Sequence, residues 1–195
     1  MHIAIYGYSY LRTVKDERKR YNLAKTAKKL KIIPLGGVGE IGKNMTVIEY
    51  GSDIIIVDCG MSFPDEEMPG IDVVIPDMTY IEKNAANVRG ILITHEDHIG
   101  AVPYALQKLN VPVYATKLTI ALIEQKLTEI KVDHADLNCV SPGDTIRLGC
   151  FSVEFIKTSH SIAGACALAI NTPIGTLIHT GDFKVDYTPI DGNVI

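Results

Sequence analysis

The stretch Ile91–Gly100, ILITHEDHIG, runs an apolar segment directly into His95, Glu96, Asp97 and His98. The segment GILIT, bounded by Gly90, reads as a buried strand, and the polar residues stand where that strand feeds a loop. Loops at strand ends on one edge of a sheet are where sites are commonly built. Two imidazoles and a carboxylate within four residues are ligand types suited to zinc. Taken alone, the cluster equally fits an ordinary helix start with Asp97 near the N-cap.

What raises the cluster above that reading is its company. Asp58 ends IVDCG, His160 follows the strand-like FSVEFIKT, and Asp182 follows GTLIHTG. In a sheet-based fold these groups can converge, although 124 positions separate Asp58 from Asp182. Two zinc ions bridged by a carboxylate would hold a hydroxide as nucleophile at neutral pH and offset phosphoryl charge. Asp58 is expected to orient a neighbouring histidine rather than to bind metal. His134, in the polar KVDHAD, reads as solvated surface, and His2 is uninformative. His179 lies in a strand that reads as buried, so a hydrogen-bonded core histidine is expected there.

The flanking pattern sets the fold class. KIIPL is strand-like, and MTVIEYG and SDIIIVDCG form a hairpin turning at Gly51 and Ser52. A long proline-containing loop and a short helical stretch, MTYIEKNAANV, precede GILIT. AVPYALQKLN suits a helix with Pro103 in its first turn, VPVYA a strand, and KLTIALIEQKLTEI an amphipathic helix. DTIRLG, FSVEFIKT, ACALAINT and GTLIHTG are strand-like again. Strands at both ends with helices between them favour a layered α/β fold with mixed sheets over a doubly wound parallel sheet.

GVGEIG, Gly37–Gly42, matches G-x-G-x-x-G after a strand, but the β-branched KNMTVIEYG follows it. The helix that would receive a pyrophosphate is therefore missing, and a tight turn using glycine at positive φ is expected.

At 195 residues with 47% hydrophobic and 22% charged residues, the chain is ordinary for a globular domain. No apolar run approaches the roughly 18 residues of a membrane span, and MHIAIYGYSYL has neither the basic flank nor the cleavage site of a signal peptide. The scattered Cys59, Cys139, Cys150 and Cys166 read as reduced and mostly buried, in a cytoplasmic protein. The net charge of -4 conceals an asymmetry: residues 11–32 hold nine Lys or Arg beside Asp16 and Glu17, while the rest holds ten basic and twenty-one acidic residues. The basic arm before an acidic body reads first as a solvated, partly helical extension; the alternative is contact with nucleic acid, with much of the basic surface lying elsewhere.

Residues 32–195 resemble the first part of the metallo-β-lactamase domain of the ribonuclease J family, in the β-CASP group. The resemblance rests on LGGVGEIGKNM, VDCGMSFPDEEMPGIDVVIPD, THEDHIGAVPY, SHSI and HTGDFKVDYTP. It implies an αββα sandwich, incomplete in this chain, preceded by a basic extension over residues 1–31. It also implies two zinc ions and cleavage of RNA, by 5′-to-3′ exonuclease action favouring 5′-monophosphate ends and by endonuclease action. His95, His160 and Asp182 would bind the first metal; Asp97, His98 and a bridging Asp182 would bind the second. Asp97 would also stand near the nucleophilic water, and Asp58 would support the set. RNA is the implied partner, with a second copy or a ribonuclease J homologue as an associated chain, and no membrane.

One departure bears on all of this. The family motif H-x-H-x-D-H, usually THGHEDHIG, here reads THEDHIG and is two residues shorter. If HEDH keeps its register, the first imidazole's place falls on Ile93; if His95 is the first, the second is lost. A further imidazole normally comes from the far half of the domain, and much of the RNA surface from the inserted β-CASP domain; neither is in this sequence. The expectation is a ribonuclease J-type piece with impaired activity. The alternatives are a non-catalytic protein that binds RNA or a partner, and a small-molecule metallo-hydrolase of the same fold.

Overall fold

The computed structural model of the protein describes residues 28–188, so most of the basic N-terminal segment and residues 189–195 lie outside the described residues. Among the described residues ten strands form two sheets. β1 (Leu30–Gly36), β2 (Met45–Tyr50) and β3 (Asp53–Val57) make an antiparallel ribbon, with Tyr50 opposite Asp53 across the two-residue turn. β1 takes in Leu30 and Lys31, and Lys31 Nζ reaches Glu49 Oε1 at 2.5 Å, so the last basic residue of the N-terminal segment belongs to the sheet.

After β3 the chain crosses to β4 (Val88–Leu92) through α1 (Thr79–Lys83), and the next connections carry α2 (Val102–Leu106) and α3 (Lys117–Ile130). β4, β5 (Val113–Ala115) and β6 (Leu137–Cys139) each add in parallel, giving the order β1-β2-β3-β4-β5-β6. β7 (Thr145–Leu148), β8 (Phe151–Lys157), β9 (Cys166–Thr172) and β10 (Gly175–His179) form a second, wholly antiparallel sheet in the order β10-β9-β8-β7.

The layers follow from the period-2 alternation of β3. Ile54 and Ile56 pack with the helices, against Ile81, Val102, Ile123 and Leu127, while Ile55 and Val57 pack against Phe151, Val153, Phe155 and Leu168 of the second sheet. α3 is helical because Thr119, Ile123 and Leu127 recur at four-residue steps on its buried face, and it ends where Lys131 turns left-handed at φ 60°. Among the described residues all helices lie on the outer side of the first sheet. Among the described residues the fold is therefore a mixed α/β sandwich of two facing sheets, with helices covering the first.

One strand is added and two readings are corrected. β6 is a strand that LNC does not announce, since its pairing with β5 is a tertiary event. β10 is an edge strand with an exposed or half-exposed pattern, so His179 is half-buried rather than in the core. The cysteines are all free, but only Cys59 and Cys166 are buried; Cys150 is intermediate and Cys139 exposed.

Strand direction brings the site together. β3 and β4 are parallel, so Asp58 and Thr94–His98 emerge at the same edge of the first sheet. β8 and β10 flank the antiparallel β9, run the same way as each other, and release His160 and Asp182 at one edge of the second. The two edges are joined where Cys166 N–H donates to Thr94 O at 2.9 Å.

Candidate metal centre

At the end of β3 the backbone of Asp58 turns left-handed, φ 64°, a conformation Asp tolerates better than most residues, and its N–H donates to Leu92 O at 2.8 Å. The side chain is fully buried and clamps both ends of the HEDH loop. Asp58 Oδ1 accepts from Thr94 N–H at 2.8 Å and from Thr94 Oγ1 at 2.9 Å, while Oδ2 lies 2.8 Å from His98 Nδ1. Between these anchors the loop makes a single 3-10 turn, Glu96–His98.

The hydrogen bonds assign the tautomers. An ionised carboxylate has no proton to give, so His98 Nδ1–H donates to Asp58 and the His98 Nε2 lone pair is left free. Thr94 has one hydroxyl proton, which goes to Asp58; its oxygen then accepts from His95 Nδ1, 3.1 Å away. His95 Nε2 is thereby left as a bare lone pair, buried and without a hydrogen-bond partner. It lies 3.8 Å from Asp97 Oδ2 and 3.8 Å from Asp182 Oδ2, and the second oxygen is also 3.8 Å from His98 Nε2. The His95 ring stands 4.2 Å from that of His98 and 5.0 Å, edge-on, from that of His160.

Electrostatics favour the bare lone pair at His95 and work against it at His98. Burial, and then the neighbouring His98, push the His95 pKa below its ordinary value, which keeps the imidazole neutral and its lone pair available. Burial acts the same way on His98, but the Asp58 hydrogen bond and charge, with Asp182 and Asp97, outweigh it and hold that pKa up.

Two sets of three donors result: His95 with Asp97 and His160, and His95 with His98 and Asp182, the donor atoms of each set lying within 4.8 Å of one another. A buried, unpartnered imidazole nitrogen facing carboxylates fits a bound divalent cation. The partition implied by the family resemblance would share Asp182 between two ions; here His95 belongs to both sets. Asp58 belongs to neither and acts through Thr94 and His98. Ile93, one candidate place for a lost imidazole, is buried in the helix-side core. His134 is exposed.

The cleft beside the cluster is lined by residues that the sequence reading passed over. Gly36, Gly37 and Val38 form one wall, and His179 shares the other with Gly181 and Asp182. The glycine-rich turn is as expected, with Gly37, Gly39 and Gly42 all at positive φ and β2 directly after it, yet it is also part of the site. Thr94 was missed as well, although its position between a buried strand and the first histidine was a usable signal.

The comparisons with known proteins agree with this architecture. The family model described as the metallo-beta-lactamase superfamily matches residues 38–194. The chain is 48% identical over 168 residues to ribonuclease J of Synechocystis sp., an alignment covering 84% of this chain and 26% of that protein. It is 46% identical to ribonuclease J2 of Bacillus subtilis and 42% to ribonuclease J of Thermus thermophilus, each alignment covering 85% of this chain and 30% of the relative. The chain thus spans less than a third of the curated relatives it matches. Among solved structures, a protein from Enterococcus faecalis superposes with TM-score 0.63 at 21% identity, over 82% of this chain and 44% of that one. The metallo-beta-lactamase fold protein YhfI of Bacillus subtilis superposes with TM-score 0.55 at 20% identity, over 79% and 63%. These two support the fold alone.

Proposed function

The chain belongs to the metallo-β-lactamase superfamily, and from that premise we propose that it is the N-terminal part of a ribonuclease J-type nuclease hydrolysing RNA phosphodiesters in the cytoplasm. The single observation that carries the reading is the buried, unpartnered His95 Nε2 facing Asp97 and Asp182. His95, His98, His160, Asp97 and Asp182 would hold zinc, which when bound supplies Lewis-acid activation of water and charge opposite the phosphodiester. Asp97, exposed and 3.8 Å from His95 Nε2, would accept a proton from the attacking water. Asp58 keeps both ligand imidazoles in the metal-binding tautomer, directly for His98 and through the Thr94 hydroxyl for His95. The relatives' names support RNA as substrate, and we extend to this chain the 5′-to-3′ exonuclease and endonuclease modes of the family. The basic residues before β1 would assist RNA contact, and association with a second copy or a ribonuclease J homologue would supply surface that this chain lacks.

The shortened motif impairs the centre. Because His95 Nε2 is common to both donor sets, the chain holds one ion well rather than two, and activity falls accordingly. Inserting His-Gly between Thr94 and His95 is expected to raise zinc content from about one ion per chain toward two, and cleavage of 5′-monophosphorylated RNA by about ten- to a hundredfold. Cleavage by the unaltered chain as fast as by the insertion variant would sink the impairment. The lost imidazole also favours a second reading, a non-catalytic RNA- or partner-binding protein, which predicts RNA affinity that survives complete removal of zinc.

A further inference from the structure

Two imidazoles, those of His98 and His179, line the cleft, His95 packs against His98 beside it, and their hydrogen bonds divide the three. His95 and His98 spend their Nδ1 protons on Thr94 and Asp58, so each turns a lone pair toward the carboxylates. His179 is wired the opposite way. Its Nδ1 lies 3.2 Å from Gly181 N, and a backbone amide is only ever a donor. His179 Nδ1 is therefore an acceptor, and in the neutral ring the proton sits on Nε2.

A ring in that state has no free lone pair for a metal, which agrees with its absence from both donor sets. It offers an N–H instead, from a side chain that lines the cleft together with Asp58, His98 and Asp182. The turn holding it is fixed. Gly181 adopts φ 56°, and a Cβ there would come within 2.9 Å of Cys166 O and 3.1 Å of Thr94 Cβ, so the loop leaving β10 is seated directly against the end of β4. A donor held on such a turn is oriented before any ligand arrives.

The chemistry of the surroundings names the ligand. Asp58 and Asp182 line the cleft, and an anionic ligand entering beside their carboxylates needs neutral donors aimed at its oxygens as well as any cation. Resting on the ribonuclease reading, we propose that His179 is a substrate-contacting residue of this centre, its Nε2–H donating to a non-bridging oxygen of the RNA phosphodiester.

The test has two arms on the full chain. Long-range ¹H–¹⁵N NMR of the zinc-free protein is expected to show His179 protonated at Nε2 and bare at Nδ1; the reverse tautomer overturns the proposal without any variant. In the second arm a non-cleavable 2′-O-methyl RNA oligonucleotide is titrated into zinc-loaded chain. His179→Phe should weaken binding about tenfold, the size of one hydrogen bond to a charged group. His179→Gln, which keeps an N–H, should recover most of that loss, and zinc content should not change in either variant. Zinc loss in His179→Phe would make the residue a ligand and defeat the proposal, as would undiminished oligonucleotide binding. No binding by the unaltered chain would defeat the ribonuclease reading itself, and with it the ligand assigned to His179.

Discussion

Asp58 shows how much one side chain can determine. It is buried, left-handed in backbone, and accepts from Thr94 N–H, Thr94 Oγ1 and His98 Nδ1. Asp58→Asn keeps a residue type that tolerates positive φ but replaces one acceptor oxygen with an amide that has nothing to donate to. One buried donor is then left unpaired, and we expect a loss of about 2–3 kcal/mol in urea unfolding. Zinc affinity should fall about ten- to a hundredfold, because the His98 tautomer is no longer enforced. Unchanged stability and affinity would show that the clamp is incidental. The sequence pointed to Asp58 as a supporting residue from its place at a strand end. Thr94 was missed as the relay: its place beside His95 was a usable signal, but the path of its single hydroxyl proton is a matter of three-dimensional geometry.

At the scale of elements, the two sheets are stitched at the end opposite the site by Asp53, the first residue of β3. Its Oδ1 accepts from Arg89 Nε of β4 at 2.6 Å and its Oδ2 from Cys150 N–H, at the β7–β8 turn, at 2.9 Å. Burial alone would raise the Asp53 pKa, but the Arg89 and Cys150 hydrogen bonds outweigh it and the pKa is lowered. A carboxylate whose folded pKa is depressed adds stability that is fully present above its unfolded value of about 3.9 and is lost as pH falls through the folded one. Urea midpoints measured from pH 6 downward should therefore fall more steeply below about pH 4 in the native chain than in Asp53→Asn; parallel curves would remove Asp53 from the account. The strands flanking this stitch were legible because β-branched runs such as DIIIV admit few other conformations. β6 was not, since three residues of mixed character become a strand only by pairing with β5. Likewise, GTLIH reads as buried until the sheet order makes β10 an edge.

For the whole molecule, the two-layered sheet and its helices could be read from the order of strand-like and helical segments. The convergence of His95, Asp97, His98, His160 and Asp182 could be anticipated from strand ends. Which residue two donor sets would share could not, because that depends on the few ångströms by which a short loop places His95. The central claim is that this loop still binds a metal through that imidazole. Metal binding to the native state alone would also stabilise it by about 2.7 kcal/mol at a hundredfold excess over Kd, so the unfolding temperature should rise with zinc concentration. The most direct measurement is the zinc content of purified, dialysed chain by mass spectrometry, alongside His95→Ala checked for folding by circular dichroism. About one zinc per native chain and essentially none in folded His95→Ala is the predicted result. A native chain without zinc, or a folded His95→Ala variant that keeps it, would contradict the account.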